Sequence, residues 1–214
     1  MPQIVIIGNS GAARECYWLL DDMIRAAPGL RNYYKFKGFL AWNGYQGDLK
    51  KLAHFLLGDT REYVLSSEDL FVIGIGQPDL RKVIYEDFKA RGAGFLTLAH
   101  PWSDISPAAE VGEANIFQRG STVHCDACIG NANYFNGAIN VGHDVEIGDY
   151  NFIGPASLLL GESRIGSQNM IGVRSTILPK ARIGNGNSIA PGSIVYKGCG
   201  DNRRLAGNPA LKID

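Results

Sequence analysis

The chain has 214 residues, of which 45% are hydrophobic and 20% are charged, a composition typical of one large or two small globular domains. Its 21 Lys and Arg residues balance 21 Asp and Glu residues, so net charge gives no indication of a nucleic-acid or anionic-membrane partner. The start of the chain carries no signal-peptide pattern, and no apolar run approaches the roughly 20 residues that cross a bilayer. These features predict a cytoplasmic protein.

Residues 1–100 alternate between short apolar runs and longer amphipathic segments. Alternation of this kind predicts a small parallel sheet with helices on its faces, and hence a first domain over these residues. The apolar runs predict strands at 4–7, 34–42, 70–74 and 95–98, and the segments between them predict helices at 12–26, 48–57 and 78–91.

A glycine-containing loop, Gly8-Asn9-Ser10-Gly11, lies at the first strand-to-helix turn. Free backbone N–H groups at such a turn favour a phosphate. A dinucleotide-binding fingerprint would need glycine where the chain has Ala13, and an acidic residue about twenty residues further on. The loop by itself leaves two interpretations open, a ligand-binding loop or a tight structural turn.

A six-residue repeat begins at Ile105, and every sixth residue from there to Val195 is large and apolar. Small or amide residues lie two positions before most of these apolar residues, with Ile139 and Val145 as the exceptions. A period of six is neither helical nor a simple strand alternation. It predicts a coil whose faces each hold about six residues and each contribute one large inward side chain.

A longer period of eighteen residues sets the number of faces, because eighteen is three times six. It predicts a three-sided prism of about five stacked coils over residues 103–196, with strands about 4.8 Å apart. We interpret the asparagines of this period as a structural ladder, since five equivalent copies cannot all form an active site. They are Asn115, Asn133, Asn151, Asn169 and Asn187.

The cysteines do not predict a disulfide framework, because four are too few for a chain of this length. Cys125 and Cys128 have the spacing of half a zinc site, but no second pair of ligands follows at a matching distance. We therefore predict reduced cysteines and no metal.

A short strand–helix domain, then His100-Pro101, then hexapeptide coils resembles the bacterial hexapeptide-repeat sugar acetyltransferases. That family includes nucleotide-amino-sugar N-acetyltransferases of the bacillosamine and perosamine type and sialic-acid O-acetyltransferase relatives. The matching segments are Ile6-Ile7-Gly8-Asn9-Ser10-Gly11, Ile75-Gly76-Gln77 with Arg81, Ile105-Ser106-Pro107, Gly142-His143-Asp144 and Ala206-Gly207-Asn208-Pro209-Ala210.

The resemblance implies a Rossmann-like acceptor-binding domain over residues 1–100 and a left-handed parallel β-helix over 101–214. The left-handed sense comes from the resemblance alone, since parallel connections are usually right-handed. It also implies a homotrimer with active sites between subunits. The implied activity is transfer of an acetyl group from acetyl-CoA to an amino or hydroxyl group of a sugar, expected to be nucleotide-linked, in surface-polysaccharide or glycan biosynthesis.

The same resemblance implies that His143 is the general base and that Asp144 orients its ring. Imidazole titrates near working pH, which suits removal of a proton from an attacking amine or hydroxyl. His124, one coil earlier, is the competing candidate for the base. By the same resemblance, Gly161 would donate its backbone N–H to the thioester carbonyl.

The binding residues are also carried over from the family. For acetyl-CoA they are Gly161, Val173, Ala190 and Pro191, and for the acceptor they are Gly8, Ser10, Gly11, Gly76, Arg81 and Asn136. Arg203 and Arg204 are either contacts for the CoA phosphates or a solvated charged corner.

Two positions depart from the family pattern. Phe152 stands where relatives often have a histidine that helps to hold acetyl-CoA. Ala41 and Trp42 stand where relatives that bind a uridine nucleotide usually carry an acidic pair, so the nucleotide is left open, and Trp42 is a side chain that stacks on a base or sugar.

Three alternative functions stay open on the sequence. In the first alternative the acyl donor is an acyl carrier protein instead of acetyl-CoA, although the sequence shows no strong basic patch on which such an acidic carrier would dock. The second is a non-catalytic sugar-binding or scaffold protein on the same fold. The third, a γ-class carbonic anhydrase, needs three histidines at a subunit boundary, whereas only His124 and His143 lie in the coils.

Overall fold

The computed structural model describes residues 1–213 and begins with a five-stranded parallel sheet of order β3-β2-β1-β4-β5. Two helices flank this sheet, α1 (Gly11–Ala26) and α2 (Pro78–Ala90), and two 3-10 helices span Pro28–Asn32 and Lys50–Phe55. The strands are β1 (Gln3–Ile7), β2 (Lys35–Ala41), β3 (Leu56–Asp59), β4 (Asp69–Ile73) and β5 (Gly94–Phe95).

The central strand β1 is apolar along its length because both of its faces are covered. Ile4 and Ile6 lie in one hydrophobic cluster with Leu20 of α1, and Val5 lies in another with Phe88 of α2. All five side chains are at most 1% exposed. Strands buried on both faces are typical of parallel sheets, and this arrangement confirms the predicted α/β class.

Two predicted elements were wrong in their bounds. The helix predicted over 48–57 ends at Phe55, because Leu56–Asp59 pairs with β2 as an edge strand. The strand predicted over 95–98 is two elements, because only Gly94–Phe95 joins the sheet. Leu98–Ala99 pairs instead with Ile116–Phe117 and begins the first coil of the second half.

The second half is a three-sided parallel β-helix in which each strand pairs with the strand eighteen residues away, as Ile129 pairs with Ile147. Eighteen two-residue strands, three to a coil, make six coils from Leu98 to Cys199. Two of these strands, Leu98–Ala99 and Gly198–Cys199, lie outside the periodic stretch 103–196, and they raise the number of coils from about five to six. No helix among residues 1–213 is long and apolar enough to cross a membrane.

The three faces are parallel sheets of six, six and eight strands. The first face holds Asp104–Ile105, Thr122–Val123, Asn140–Val141, Leu158–Leu159, Thr176–Ile177 and Ile194–Val195. The second holds Glu110–Val111, Cys128–Ile129, Glu146–Ile147, Arg164–Ile165, Arg182–Ile183 and Gly198–Cys199. The third holds Leu98–Ala99, Ile116–Phe117, Tyr134–Phe135, Phe152–Ile153, Met170–Ile171, Ser188–Ile189 and a closing antiparallel pair, Arg204–Gly207 with Ala210–Lys212.

The predicted asparagine ladder is confirmed at the corner between the second and third faces. Asn133, Asn151 and Asn169 are 0% exposed. Asn151 Oδ1 accepts the main-chain N–H of Asn169 at 2.8 Å, and Asn151 Nδ2 donates to the carbonyl of Gly166 at 2.9 Å. Each amide therefore satisfies backbone groups that the tight corner would otherwise leave without partners inside the protein.

The strand–helix domain packs on the third face. Tyr134 and Ile116, which point outward from that face, share a hydrophobic cluster with Leu19 and Leu20 of α1. The Tyr134 hydroxyl lies 3.1 Å from the Glu15 carboxylate on α1. Through these contacts the first domain covers the third face at the strands Ile116–Phe117 and Tyr134–Phe135.

Replacing Asn151 with Ala is expected to lower the free energy of unfolding by about 3 kcal/mol, because buried backbone and side-chain groups lose their partners. Urea unfolding followed by circular dichroism measures the change. The control is Asn32→Ala, at an exposed position outside the ladder. Equal stabilities for the two variants would contradict the ladder interpretation.

Candidate active site

His143 lies at the corner between the first and second faces, which we call the His143 corner (residues 124–127, 142–145, 160–163 and 178–181). The turn at each level contains one residue with a left-handed backbone, and Asp144 is that residue beside His143, with φ of 56°. Aspartate tolerates this conformation better than most residues. Asp144 therefore has two roles: its backbone forms the left-handed turn, and its carboxylate lies beside the imidazole of His143.

The His143 imidazole is bonded to the carboxylate that follows it. Nδ1 lies 2.7 Å from Asp144 Oδ2, and the two side chains are 60% and 56% exposed. Donation of an Nδ1–H to Asp144 leaves Nε2 with its lone pair, the tautomer that a general base requires. A carboxylate in this position also stabilises the imidazolium that forms when Nε2 takes a proton.

Gly161 lies one coil above His143 in the same column, where any larger residue would collide with the ring. A Cβ at Gly161 would lie 2.7 Å from His143 Nε2 and 2.8 Å from Cε1. Within residues 1–213 the Gly161 N–H has no hydrogen-bond acceptor. The predicted base and the predicted carbonyl-binding donor are therefore side by side.

The other histidines have different surroundings. His124, the competing candidate, lies 3.1 Å from the side-chain amide of Asn140 and has no carboxylate partner in the described chain. His100 is 5% exposed, and its Nε2 lies 3.3 Å from the Asp22 carboxylate of α1. His143 is hydrogen-bonded to a carboxylate and His124 is not, which favours His143 as the general base.

A second site lies in the first domain, where a cavity of about 300 Å³ opens at the carboxyl ends of β1 and β4. Gly8, Ser10 and Gly76, all predicted acceptor contacts, line it. Gly11 is the first residue of α1 and lies directly beside this lining. Such crevices at strand ends are where open α/β sheets bind ligands.

Both helices begin at the rim of the cavity with unused N-termini. Ser10 precedes α1 and Gln77 precedes α2, and neither side chain caps its helix. The first-turn N–H groups of a helix attract anions when no side chain occupies them. Two such ends at one cavity favour the ligand-binding interpretation of the Gly8–Gly11 loop over a tight structural turn.

Two glycines bring the loops of the cavity together. Gly8 has φ of 124°, and a Cβ there would lie 2.7 Å from the Gly74 carbonyl oxygen. A Cβ at Gly76 would lie 3.1 Å from the ring of Phe152 on the third face. Phe152 thus stands against the cavity wall, in the position where relatives often have histidine.

Arg81 does not line the cavity, contrary to the prediction that it contacts the acceptor. The side chain is 0% exposed, and burial lowers the pKa of its guanidinium to about 10. All five N–H donors are used by main-chain carbonyls. Their acceptors are Ile73 (2.8 Å), Ile75 (2.8 Å), Ala114 (3.2 Å), Ala132 (2.6 Å) and Asn133 (3.3 Å). Arg81 therefore fastens the first domain to the β-helix.

The remaining predicted residues lie at a different corner from His143. Asn136, Val173, Ala190 and Pro191 occupy the corner between the third and first faces, across the width of the first face. Asn136 Oδ1 accepts the Gly137 N–H at 2.8 Å, and Val173 is 39% exposed. One copy of the chain therefore does not bring the predicted CoA contacts next to its own His143.

The cysteines and the last arginines do not form a metal site in the described part of the chain. Among residues 1–213, no group of three or more His, Cys, Asp or Glu side chains is placed to hold a metal ion. Cys125 and Cys128 are both exposed and free. Arg203 and Arg204 are exposed at the last coil.

Two residues of the cavity were missed in the sequence. Asn9 and Tyr45 both line it, and Asn9 Nδ2 donates to the Tyr45 carbonyl at 2.8 Å. Asn9 belongs to the glycine-containing loop, but its partner lies 36 residues away in an irregular segment. No local pattern in the sequence connects the two.

Neither a family model nor a curated protein matches the chain. Solved structures do match over its whole length. Perosamine N-acetyltransferase from Caulobacter crescentus is 24% identical over 100% of this chain and 98% of that chain, with a TM-score of 0.84. The acetyltransferase domain of PglB from Neisseria gonorrhoeae is 22% identical over 100% of both chains, with a TM-score of 0.84. WeeI from Acinetobacter baumannii is 20% identical over 100% of both chains, with a TM-score of 0.83.

At these identities the structural likeness establishes the fold, and it confirms the predicted left-handed β-helix behind a small parallel sheet. The Caulobacter enzyme was solved in complex with CoA and GDP-perosamine, including variants in which a histidine is replaced. The Neisseria domain was solved in complex with acetyl coenzyme A.

Proposed function

We propose that the protein transfers an acetyl group from acetyl-CoA to an amino or hydroxyl group of a nucleotide-linked sugar. The observation that carries this proposal is the pairing of His143 with Asp144 beside the glycine at position 161. A base with a free Nε2 next to an unbonded main-chain N–H provides the two groups that direct attack on a thioester requires.

In the proposed reaction the acceptor nitrogen or oxygen attacks the thioester carbonyl carbon while His143 Nε2 removes its proton. The Gly161 N–H donates to the carbonyl oxygen as it becomes negatively charged. Collapse of the intermediate breaks the carbon–sulfur bond, and the imidazolium returns the proton to the departing CoA thiolate. Asp144 stabilises the imidazolium between these two proton transfers.

The acceptor in this proposal is held by the first domain. The cavity beside Gly8, Ser10 and Gly76 combines strand ends with two uncapped helix N-termini, which suits a ligand that carries phosphates. The GDP-perosamine bound by the Caulobacter enzyme supports a nucleotide sugar as the acceptor, and the CoA and acetyl coenzyme A bound by the similar structures support acetyl-CoA as the donor.

The site is proposed to form between copies of the chain. In a triangular prism the corner that carries His143 is opposite the third face, on which the first domain packs. No hydrogen bond or ion pair within residues 1–213 joins the first domain to the His143 corner. The first face also exposes apolar side chains that suit a subunit contact, and we propose a homotrimer. They include Leu158 (40% exposed), and Tyr196 (53% exposed) lies directly beyond the last strand of this face.

The predicted cytoplasmic location belongs to the same proposal. All four cysteines are free, which suits a reducing compartment.

Replacement of His143 with Ala is expected to lower kcat by at least about a hundredfold, because the proton acceptor is lost. The measurement is thiol release from acetyl-CoA with a panel of UDP-, GDP- and dTDP-linked amino sugars. His124→Ala is the matched control and should retain activity. Loss of activity in His124→Ala with an active His143→Ala would transfer the role of base to His124.

Replacement of Gly161 with Ala is expected to lower kcat with little change in melting temperature, because the new methyl group displaces the imidazole ring rather than the coil. Gly200→Ala is the control, since a Cβ at Gly200 has no neighbour within 4 Å. The same thiol-release assay and a thermal melt provide the two readouts. Wild-type turnover by Gly161→Ala would contradict the placement of the catalytic imidazole against Gly161, because alanine keeps the main-chain N–H and changes only the space beside the ring.

A further inference from the structure

The segment that follows β2 forms one wall of the acceptor cavity. Trp42 and Tyr45 line the cavity from this segment, which spans residues 42–47. Three contacts fasten it: Asn9 Nδ2 donates to the Tyr45 carbonyl at 2.8 Å, the Asn43 N–H lies 3.4 Å from Thr60 Oγ1, and the Gly44 N–H donates to the Asp59 carboxylate. The position of the aromatic wall therefore depends in part on Asn9.

Asn9 is a buried residue of the cavity with one side-chain atom that lacks a hydrogen-bond partner within residues 1–213. It is 6% exposed and lines the cavity, and its Oδ1 has no hydrogen-bond donor within residues 1–213. A Cβ at Gly47 would lie 2.6 Å from that oxygen, so the segment passes closely over the amide. A buried acceptor without a donor is costly, and such groups in native proteins call for a functional explanation.

The lining of the cavity contains no charged side chain. Trp42 and Tyr45 provide aromatic surface, and Ile75 and Leu80 provide aliphatic surface. An uncharged cavity of this composition suits a flat, uncharged ring system. The uncapped N-termini of α1 and α2 at the rim suit an anion, so the ligand has an uncharged ring at one end and phosphate next to it.

We propose that Trp42 and Tyr45 form the stacking wall of a nucleobase subsite, and that Asn9 is the positioning residue that holds this wall. The inference rests on the proposed function, in which the acceptor is nucleotide-linked, and it names how the nucleotide is recognised. Stacking tolerates different bases because every base has a π-face. The subsite therefore selects for the presence of a base more than for its identity.

Binding of UDP, GDP and dTDP, measured by calorimetry on the full-length protein with inorganic pyrophosphate as the ligand without a base, tests this inference. We expect the three nucleotides to bind within about tenfold of one another, and each more tightly than pyrophosphate. Trp42→Ala should weaken all three nucleotides by about tenfold or more and leave pyrophosphate unchanged. Trp42→Phe should retain nucleotide binding, and Trp18→Ala, which removes a half-exposed tryptophan on α1, should have no effect.

Asn9→Asp tests the positioning role, because it removes the donor to Tyr45 and keeps the size of the side chain. We expect it to weaken nucleotide binding and to change Trp42 fluorescence in the free protein, and to lower the melting temperature because a second buried oxygen is left without a donor. Unaltered fluorescence and nucleotide affinity in Asn9→Asp would overturn the positioning role.

Equal losses for nucleotides and pyrophosphate in Trp42→Ala, or no loss for either, would overturn the base subsite. Tight nucleotide binding that depends on Trp42, in a protein without acetyl transfer, would support the subsite and contradict the proposed function. Acetyl transfer to a sugar without a nucleotide, in a protein that binds no nucleotide, would overturn the subsite and leave the acetyl transfer in place.

Discussion

The eighteen-residue spacing between paired strands is the constraint on which the rest of the structure depends. Each two-residue strand inside the stack bonds to the coils above and below it, so a corner residue there has its neighbours eighteen positions away. This spacing puts Gly161 next to the imidazole of His143, although the two are on different coils. The same spacing aligns the buried asparagines, whose amides bond the corner backbone. The contact between His143 and Gly161 thus follows from the stacking period and does not require an additional loop.

The first domain contributes the other half of the candidate site, and its position depends on a buried cation. The guanidinium of Arg81 donates hydrogen bonds to main-chain carbonyls in both halves of the chain. No acidic side chain bonds to it in the described residues. Removal of such a group would leave several buried carbonyls without donors, which is more costly than the loss of one exposed ion pair. This joint fixes the cavity of the first domain against the third face, beside Phe152.

The β-helix was predictable from the sequence because its signal is periodic and local. One large apolar residue in six, one asparagine in eighteen and a histidine followed by aspartate are all visible without a structure. The first strand of the first coil was not, because Leu98 continues an apolar run that looks like the last strand of the sheet. The burial of Arg81 was not predictable either, since its five acceptors come from three separate segments of the sequence. Asn9 and Tyr45 were missed for the same reason, because their contact depends on an irregular segment after β2.

The proposed mechanism requires His143 of one copy and the cavity of another, because these two parts lie on opposite sides of a single prism. Mixed oligomers test this claim most directly. Co-expression of His143→Ala with Ser10→Trp, which fills the cavity, combines two chains that are each expected to be inactive. Random assembly of a closed oligomer with shared sites should restore about a quarter of wild-type activity, because a site is intact when both of its contributing chains are unaltered there. Complete inactivity of the mixed oligomers, with subunit exchange verified, would contradict a site shared between copies.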